Sequence, residues 1–383
     1  MTSGCFPKPV DITRDIRPGN GAELALPFQD PVAVAEFAAG PETLDALWLA
    51  PDGATRGALR FAAFDGVSWS ASVVIAPDVD LEASRERGLS LEVLKDGGVR
   101  ARWFETLPAG GHAPHIAASN DGGRTWHRVA DFAAPLASGA GPISWIDLGN
   151  ERQAAAFIAL SRRAFFDQKF PTVFAALPGP TATMLSPMFV GSRAPQNSAI
   201  ATMRVKNDFV FAFRRFGRLN RVGEQQTTIF LDRIEGGRPK RLLADHDRWA
   251  FPRDARGVGP LLAAREDVFS LLYYSDKRQG HPAIVVWQTP FTDGRAFPTL
   301  GRVRDLHANY AADGRLILAG LENGSLLVRR LGTTIAIARI TDVPVDATTT
   351  LLFAGDVQGY EYLAWSGGDP LRIHLVRLEN DAP

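Results

Sequence analysis

Ser119-Asn120-Asp121-Gly122-Gly123-Arg124-Thr125-Trp126 reads as a hairpin turn locked by its own side chains. The carboxylate of Asp121 is placed to accept hydrogen bonds from turn N–H groups, Gly123 supplies backbone freedom, and Trp126 packs under the loop. The same glycine falls on a period. Gly66, Gly123, Gly179, Gly236 and Gly294 each follow one strand-like run and precede another, at spacings of 57, 56, 57 and 58 residues.

Between those glycines the chain is built of short runs rich in Val, Ile, Phe, Leu and Ala, bounded by Gly, Asp, Asn or Pro, which read as strands. Asn197–Asn207, Asp208–Gly217, Gln225–Gly236 and Pro239–Asp245 form one four-stranded unit. Val258–Asp267, Val268–Asp276, Pro282–Asp293 and Ala296–Val303 repeat it. The best helical stretch, Leu81 to Leu94, is interrupted by Gly88. The chain therefore reads as all-β. A 57-residue unit of four strands is the content of one blade of a closed β-propeller. Two shorter units begin near His307 and Thr348, which gives seven blades, or six if those two merge. The last unit lacks an outer strand after Leu378, and Phe6–Ile12 is the expected supplier, an N-terminal strand closing the ring. The expected organisation is a segment over 1–29 and a propeller over 30–383.

Composition excludes several function classes. The 383 residues carry 42 basic and 42 acidic side chains, a balance that argues against a nucleic-acid binder. A single cysteine, Cys5, excludes an intramolecular disulfide and a multi-cysteine metal site. His112-x-x-His115 lacks a third metal ligand, and no P-loop, dinucleotide-binding glycine motif, nucleophile elbow or zincin motif occurs. No metal and no cofactor are expected. No apolar run approaches the roughly 18 residues that a membrane-spanning helix needs.

The 119–126 stretch matches S-x-D-x-G-x-T-W at every defined position, with weaker echoes at Asp65-Gly66-Val67-Ser68-Trp69 and Thr292-Asp293-Gly294-Arg295-Ala296-Phe297. In this the chain resembles the Asp-box (BNR repeat) propellers of the sialidase-like superfamily. Tyr274-Ser275-Asp276-Lys277-Arg278-Gln279-Gly280, followed by Ile284, looks like a run common in bacterial members. The resemblance implies that Ser119, Asp121, Gly123, Thr125 and Trp126 are structural and lie opposite the face that carries ligands. It also implies what a sialidase needs: an arginine triad, a Tyr–Glu nucleophile pair and an acid/base Asp. The F/Y-R-I-P motif of the first arginine is missing, and Ile16-Arg17-Pro18 is a poor imitation. Tyr360 and Tyr362 flank Glu361 on a strand, so alternation puts the rings and the carboxylate on opposite faces, an arrangement for packing.

Of the 42 basic residues 36 are Arg, and many fall on the loops that join strand two to three or one blade to the next. Arg163, Arg193, Arg215, Arg221, Arg253 and Arg278, with Trp249 and Asp247, form the candidate ligand-binding face. Guanidinium groups hold carboxylate, sulfate or phosphate bidentately, and Trp249 or Phe166 stacks on a sugar or base ring; the competing reading is solvated ion pairs with neighbouring acids. Asp245 and Asp276 are read as acids interleaved among those arginines. His246, between Asp245 and Asp247, is a weaker candidate for acid/base work. The function expected is a non-catalytic binding module for a glycan or a protein partner; the alternative is a divergent glycoside hydrolase acting on an acidic sugar. Ser3-Gly4-Cys5 resembles the end of a bacterial lipoprotein cleavage site, which would make Cys5 a lipid anchor and place the protein in the periplasm or outside the cell.

Overall fold

The computed structural model describes residues 13–16, 23–28, 31–94, 96–108, 112–129, 143–149, 152–163, 166–176, 183–189, 200–205, 208–219, 225–235, 238–249, 260–265, 268–278, 281–299, 302–311, 313–331, 335–340, 345, 349–367 and 372–378. Among them lie seven sheets, each built on an antiparallel meander in chain order, with one parallel strand added to the sixth. The first holds β2 (Val34–Ala39), β3 (Leu44–Pro51), β4 (Arg56–Phe64) and β5 (Val73–Asp80), and the second β6 (Ser90–Val93), β7 (Val99–Thr106), β8 (His112–Ser119) and β9 (His127–Arg128). The third comprises β10 (Ile143–Gly149), β11 (Arg152–Arg163), β12 (Phe166–Ala176) and β13 (Thr183–Phe189). The fourth comprises β14 (Ile200–Val205), β15 (Asp208–Leu219), β16 (Gln225–Glu235) and β17 (Arg238–Trp249). The fifth is built of β18 (Leu261–Arg265), β19 (Val268–Arg278), β20 (His281–Gln288) and β21 (Gly294–Pro298), and the sixth of β22 (Val303–Tyr310), β23 (Leu316–Glu322), β24 (Ser325–Leu331) and β25 (Ile335–Ile340). The seventh has three strands, β26 (Thr350–Val357), β27 (Tyr360–Gly367) and β28 (Arg372–Leu378).

Strand alternation explains how the sheets stack. On β27, Leu363 and Trp365 enter the cluster shared with the sixth sheet, whereas Tyr362 and Ala364 enter the one shared with the first. The leading strand of each sheet packs on that of a neighbour: β2 on β6, β10 on β14, β14 on β18, β18 on β22, β22 on β26, and β26 on β2. The second sheet meets the third where Trp145 lies 6.4 Å from the Phe104 ring and 5.5 Å from the Arg102 guanidinium. The core is thus a series of apolar layers between sheet faces, with Trp48, Phe61, Phe211, Tyr273 and Trp365 at 2% exposure or less.

The helical expectation holds for half its length. Asp80 accepts from the Ala83 N–H at 2.9 Å and starts α1 (Leu81–Arg87); Gly88, at φ +81°, ends it, and the remainder becomes β6. The expected N-terminal closing strand falls on residues 6–12. Phe6–Ile12 lies outside the described residues. β1 (Thr13–Ile16) runs parallel to β25 as a fifth strand of the sixth sheet, and the edge of β28 is met by Glu23, which bridges Val376.

The 119–126 turn is locked as its residue types demand. Asp121 Oδ1 accepts from the Ser119 hydroxyl (2.7 Å) and from the N–H groups of Arg124 (3.0 Å) and Thr125 (2.9 Å), while Oδ2 accepts from the Thr125 hydroxyl at 2.6 Å. Those donors hold the Asp121 carboxyl well below the usual range, the Thr125 hydroxyl foremost. The Trp126 indole N–H donates to the Gly123 carbonyl at 2.9 Å, and its ring meets Phe61 of the first sheet edge-on at 5.2 Å. The turn therefore also packs one sheet on the next. The echo at Asp65 repeats half of this, accepting from the N–H groups of Val67 (2.9 Å) and Ser68 (2.8 Å). At the third, Gly294 opens β21 with its Cα against the Trp287 indole.

Candidate functional site

In a four-stranded meander the 2–3 turn and the exit of strand four lie at one end, and the 1–2 and 3–4 turns at the other. The first end is where the candidate arginines were expected. Arg163 closes β11 opposite Phe166, Arg278 closes β19 opposite His281, and Arg215 on β15 is paired with Thr228. Asp247 and Trp249 finish β17, paired with Thr227 and Gln225. The backbone thus brings five of the eight positions to the same end of three consecutive sheets. Arg193, Arg221 and Arg253 lie outside the described residues, as does Cys5.

Two acids assigned to that face are placed differently. Asp245 is buried between the fourth and fifth sheets, accepting from the Tyr273 hydroxyl and, at 3.0 Å, from the Trp287 indole. Asp276 is buried between the fifth and sixth, where it accepts from the Tyr274 hydroxyl at 3.0 Å and lies 3.8 Å from Arg302. Burial, reinforced by the charge of Asp276, pushes the Tyr274 phenol above its ordinary range. Sequence reading took both acids as partners interleaved among the loop arginines. A strand end, however, still lies between two sheets, and alternation sends these side chains inward.

The same end carries further polar groups. Glu322, at the β23–β24 hairpin, and Arg329, four residues along β24 from Glu322's partner Ser325, form a buried pair at 2.6 Å. Arg214, one residue before Arg215, is buried at the fourth–fifth interface with its guanidinium 5.6 Å from the Tyr273 ring centre. Between the first and second sheets Arg56 bridges Asp78 (2.6 Å) and Glu105 (2.9 Å). On the leading strands β2 and β22, Glu36 and His307 retain some accessible surface while being closely surrounded. Burial pushes the Glu36 carboxyl up to about 8. It pushes the His307 imidazole down to about 4 against a hydrogen bond to the backbone of Leu351. Their signal in the sequence is a charged or titratable residue inside an otherwise apolar strand run, Val34-Ala35-Glu36-Phe37-Ala38 being the plainest.

Three other sequence candidates resolve into structural roles. Glu361 is fully buried on the opposite face of β27 from Tyr362, with Arg330 Nε at 2.5 Å and Arg315 at 3.8 Å, while Tyr362 faces Phe64 at 6.1 Å. Tyr360 is exposed at the hairpin, its ring 4.9 Å from the Arg377 guanidinium. His112 and His115 are three apart on β8, hence on opposite faces, and His115 stacks on Trp103 at 5.7 Å. His246 alternates to the face away from Asp245 and lies 3.1 Å from the Thr228 hydroxyl.

No protein-family model matches the chain, and no curated protein matches it. Solved structures do. The β-propeller domain of the Trilobed protease from Pyrococcus furiosus aligns with 91% of this chain and 96% of its own, at 9% identity and a TM-score of 0.50. A Mycobacterium tuberculosis puromycin-hydrolyzing peptidase aligns with 91% of the chain at 12% identity and a TM-score of 0.52. The Pyrococcus horikoshii acylaminoacyl peptidase aligns with 90% at 10% identity and a TM-score of 0.51. The chain spans about half the length of these two peptidases, 52% of each. At such identities the likeness is one of fold: all-β, built of four-stranded antiparallel sheets, in the manner of β-propeller domains. Among the described residues no helix is long and apolar enough to cross a membrane.

Proposed function

We propose that the chain is a single seven-bladed propeller of the Asp-box kind, spanning about residues 30–383, and that it binds an acidic ligand at the 2–3 end of its third to fifth sheets. The ligand class is a glycan or protein surface bearing carboxylate or sulfate groups, held by Arg163, Arg193, Arg215, Arg221, Arg253 and Arg278 with Trp249 and Asp247 beside them. Ring closure is supported by the packing of β26 on β2, which joins the last sheet to the first. Asp-box membership is supported by the full set of hydrogen bonds around Asp121.

The observation that carries the binding role is the gathering of Arg163, Arg215, Asp247, Trp249 and Arg278 at one end of three adjacent sheets. Arginine positions so grouped suit a site for planar anions, which guanidinium groups contact bidentately. The test is binding of the purified protein to an array of sialylated, uronic-acid and sulfated glycans. Arg215→Ala is expected to lower the signal at least tenfold and Trp249→Ala several-fold, with neutral glycans silent throughout. No binding by the wild type, or Arg215→Ala binding as well as wild type, refutes the proposal. Turnover of a fluorogenic sialoside or uronide, abolished by the same substitutions, would replace it with the hydrolase alternative.

A further inference from the structure

Two acids share one face of the first sheet. In the antiparallel register of β2 and β3, Glu36 pairs with Leu47 and Ala38 with Asp45, so Glu36 and Asp45 are diagonal neighbours, roughly 7–8 Å apart. That face is the one turned to the second sheet. Val34, Ala38, Leu47 and Leu49 share its parity, and they pack with Leu91 and Val93 of β6 in one apolar cluster. The opposite face of β2, with Ala35 and Phe37, packs on Phe353 of the seventh sheet.

Neither carboxyl is paired with a cation. Among the described residues the Glu36 side chain makes no hydrogen bond or ion pair, yet it keeps some accessible surface. Asp45 is 2% exposed, accepts a hydrogen bond from the Thr43 side chain, and leaves Oδ1 closed off with no partner. Other charges on the strands packed against β2 are engaged elsewhere: Glu92 of β6 with the buried Arg102 guanidinium, and Asp356 of β26 with the Gly359 N–H at 3.2 Å. Burial alone raises the Glu36 carboxyl to about 8, and it raises Asp45 to about 6 against the Thr43 hydrogen bond. An unpaired carboxyl among apolar side chains is costly in its charged form, and a cation beside it offsets that cost.

We propose that Glu36 and Asp45 anchor the ammonium group of a primary-amine ligand between β2 and β6, with its alkyl chain along Val34, Ala38 and Val93. The buried, unpartnered Oδ1 of Asp45 and the accessible carboxyl of Glu36 supply the acceptors, which charge-assisted hydrogen bonds from the ammonium N–H groups satisfy. A metal ion is the poorer fit. No group of three or more His, Cys, Asp or Glu side chains that could hold one occurs among the described residues, and the walls are aliphatic. The site belongs to the first and second sheets, takes a ligand of the opposite charge, and is independent of any ligand at the arginine-bearing end of the third to fifth.

The test is calorimetric titration of the purified full chain with putrescine and with Nα-acetyl-lysine amide. Glu36→Gln keeps the neutral shape that the buried acid has at pH 7, so it is expected to fold as the wild type does. It is expected to weaken amine binding at least tenfold and Asp45→Asn several-fold, while butanediol gives no signal with any of the three proteins. Binding to the wild type at pH 7 is expected to release about one proton, seen as a buffer-dependent heat, because the ammonium favours the charged form of Glu36. For the same reason it is expected to tighten roughly eightfold from pH 6.5 to 7.5, and Glu36→Gln is expected to lose that dependence. The stronger of the two amines tells a free diamine from a lysine side chain as the source. Three outcomes overturn the proposal: no heat with either amine, Glu36→Gln binding as well as wild type, or calcium chloride displacing the amine at constant ionic strength, the mark of a metal site.

Discussion

Replacing Gly123 by alanine tests whether the 119–126 turn joins two sheets or merely closes one hairpin. A Cβ on Gly123 would lie 1.9 Å from one carbon of the Phe61 ring and 2.6 Å from two more, and the residue sits at φ +85°. Its neighbour Gly122 has φ +69° and nothing within 4 Å of the added carbon. Both substitutions incur the left-handed backbone cost of about 1–2 kcal/mol. Only Gly123→Ala must also displace Phe61, which is 1% exposed and holds Trp126 edge-on. Forcing a buried ring aside adds about 1–3 kcal/mol. The expected losses are therefore about 1–2 kcal/mol for Gly122→Ala and about 2–5 kcal/mol for Gly123→Ala. Urea unfolding followed by tryptophan fluorescence measures both, read as midpoint shifts at constant slope. Phe61→Leu makes room for the methyl group, so in that background the Gly123→Ala loss should shrink by about 1 kcal/mol or more, a coupling that a double-mutant cycle isolates. Equal losses at the two glycines, or additivity with Phe61→Leu, would show that the turn does not pack the second sheet on the first.

Two further outcomes follow from buried charges. Arg330→Met removes the nearer partner of the fully buried Glu361, leaving Arg315 at 3.8 Å, and should cost about 3–5 kcal/mol in urea. The double variant Arg330→Met/Glu361→Leu should recover most of that loss, and a double variant no better than the single refutes the pairing. Glu36 keeps its proton in the fold up to about pH 8, whereas an exposed glutamate releases it near pH 4.3. The native state therefore binds more protons over that interval, and the Glu36 contribution to stability, complete below about pH 4.3, is lost as pH rises through 8. Glu36→Gln should be the more stable protein above pH 8 in unfolding curves taken from pH 4 to 9, and a wild type that stays ahead at high pH contradicts the assignment.

Much of the architecture was legible in the chain, and for local reasons. The strands announce themselves by apolar runs between turn residues. The four runs over 197–245 match β14 to β17 with shifts of a few residues at their ends. The glycine period marks the connection between third and fourth strands, where Gly66 and Gly123 stand between β4 and β5 and between β8 and β9. Alternation around Glu361 correctly separated it from the tyrosine rings, because a strand fixes side-chain faces over a single residue step. Asp245 and Asp276 were misplaced because the same rule names a face without saying whether another sheet covers it.

The sequence by itself determined what hydrogen bonds within a hairpin can decide: strand, turn and face, and the Asp121 lock with every partner inside eight residues. Only the tertiary structure decided the partners between sheets. Asp245 meets Tyr273, Glu361 meets Arg330, and Trp69 reaches back to Ala25. Each of those contacts depends on how one twisted sheet is rotated against the next. That rotation is fixed by the sum of many small apolar contacts in the interface and by no single residue, so no local pattern carries it.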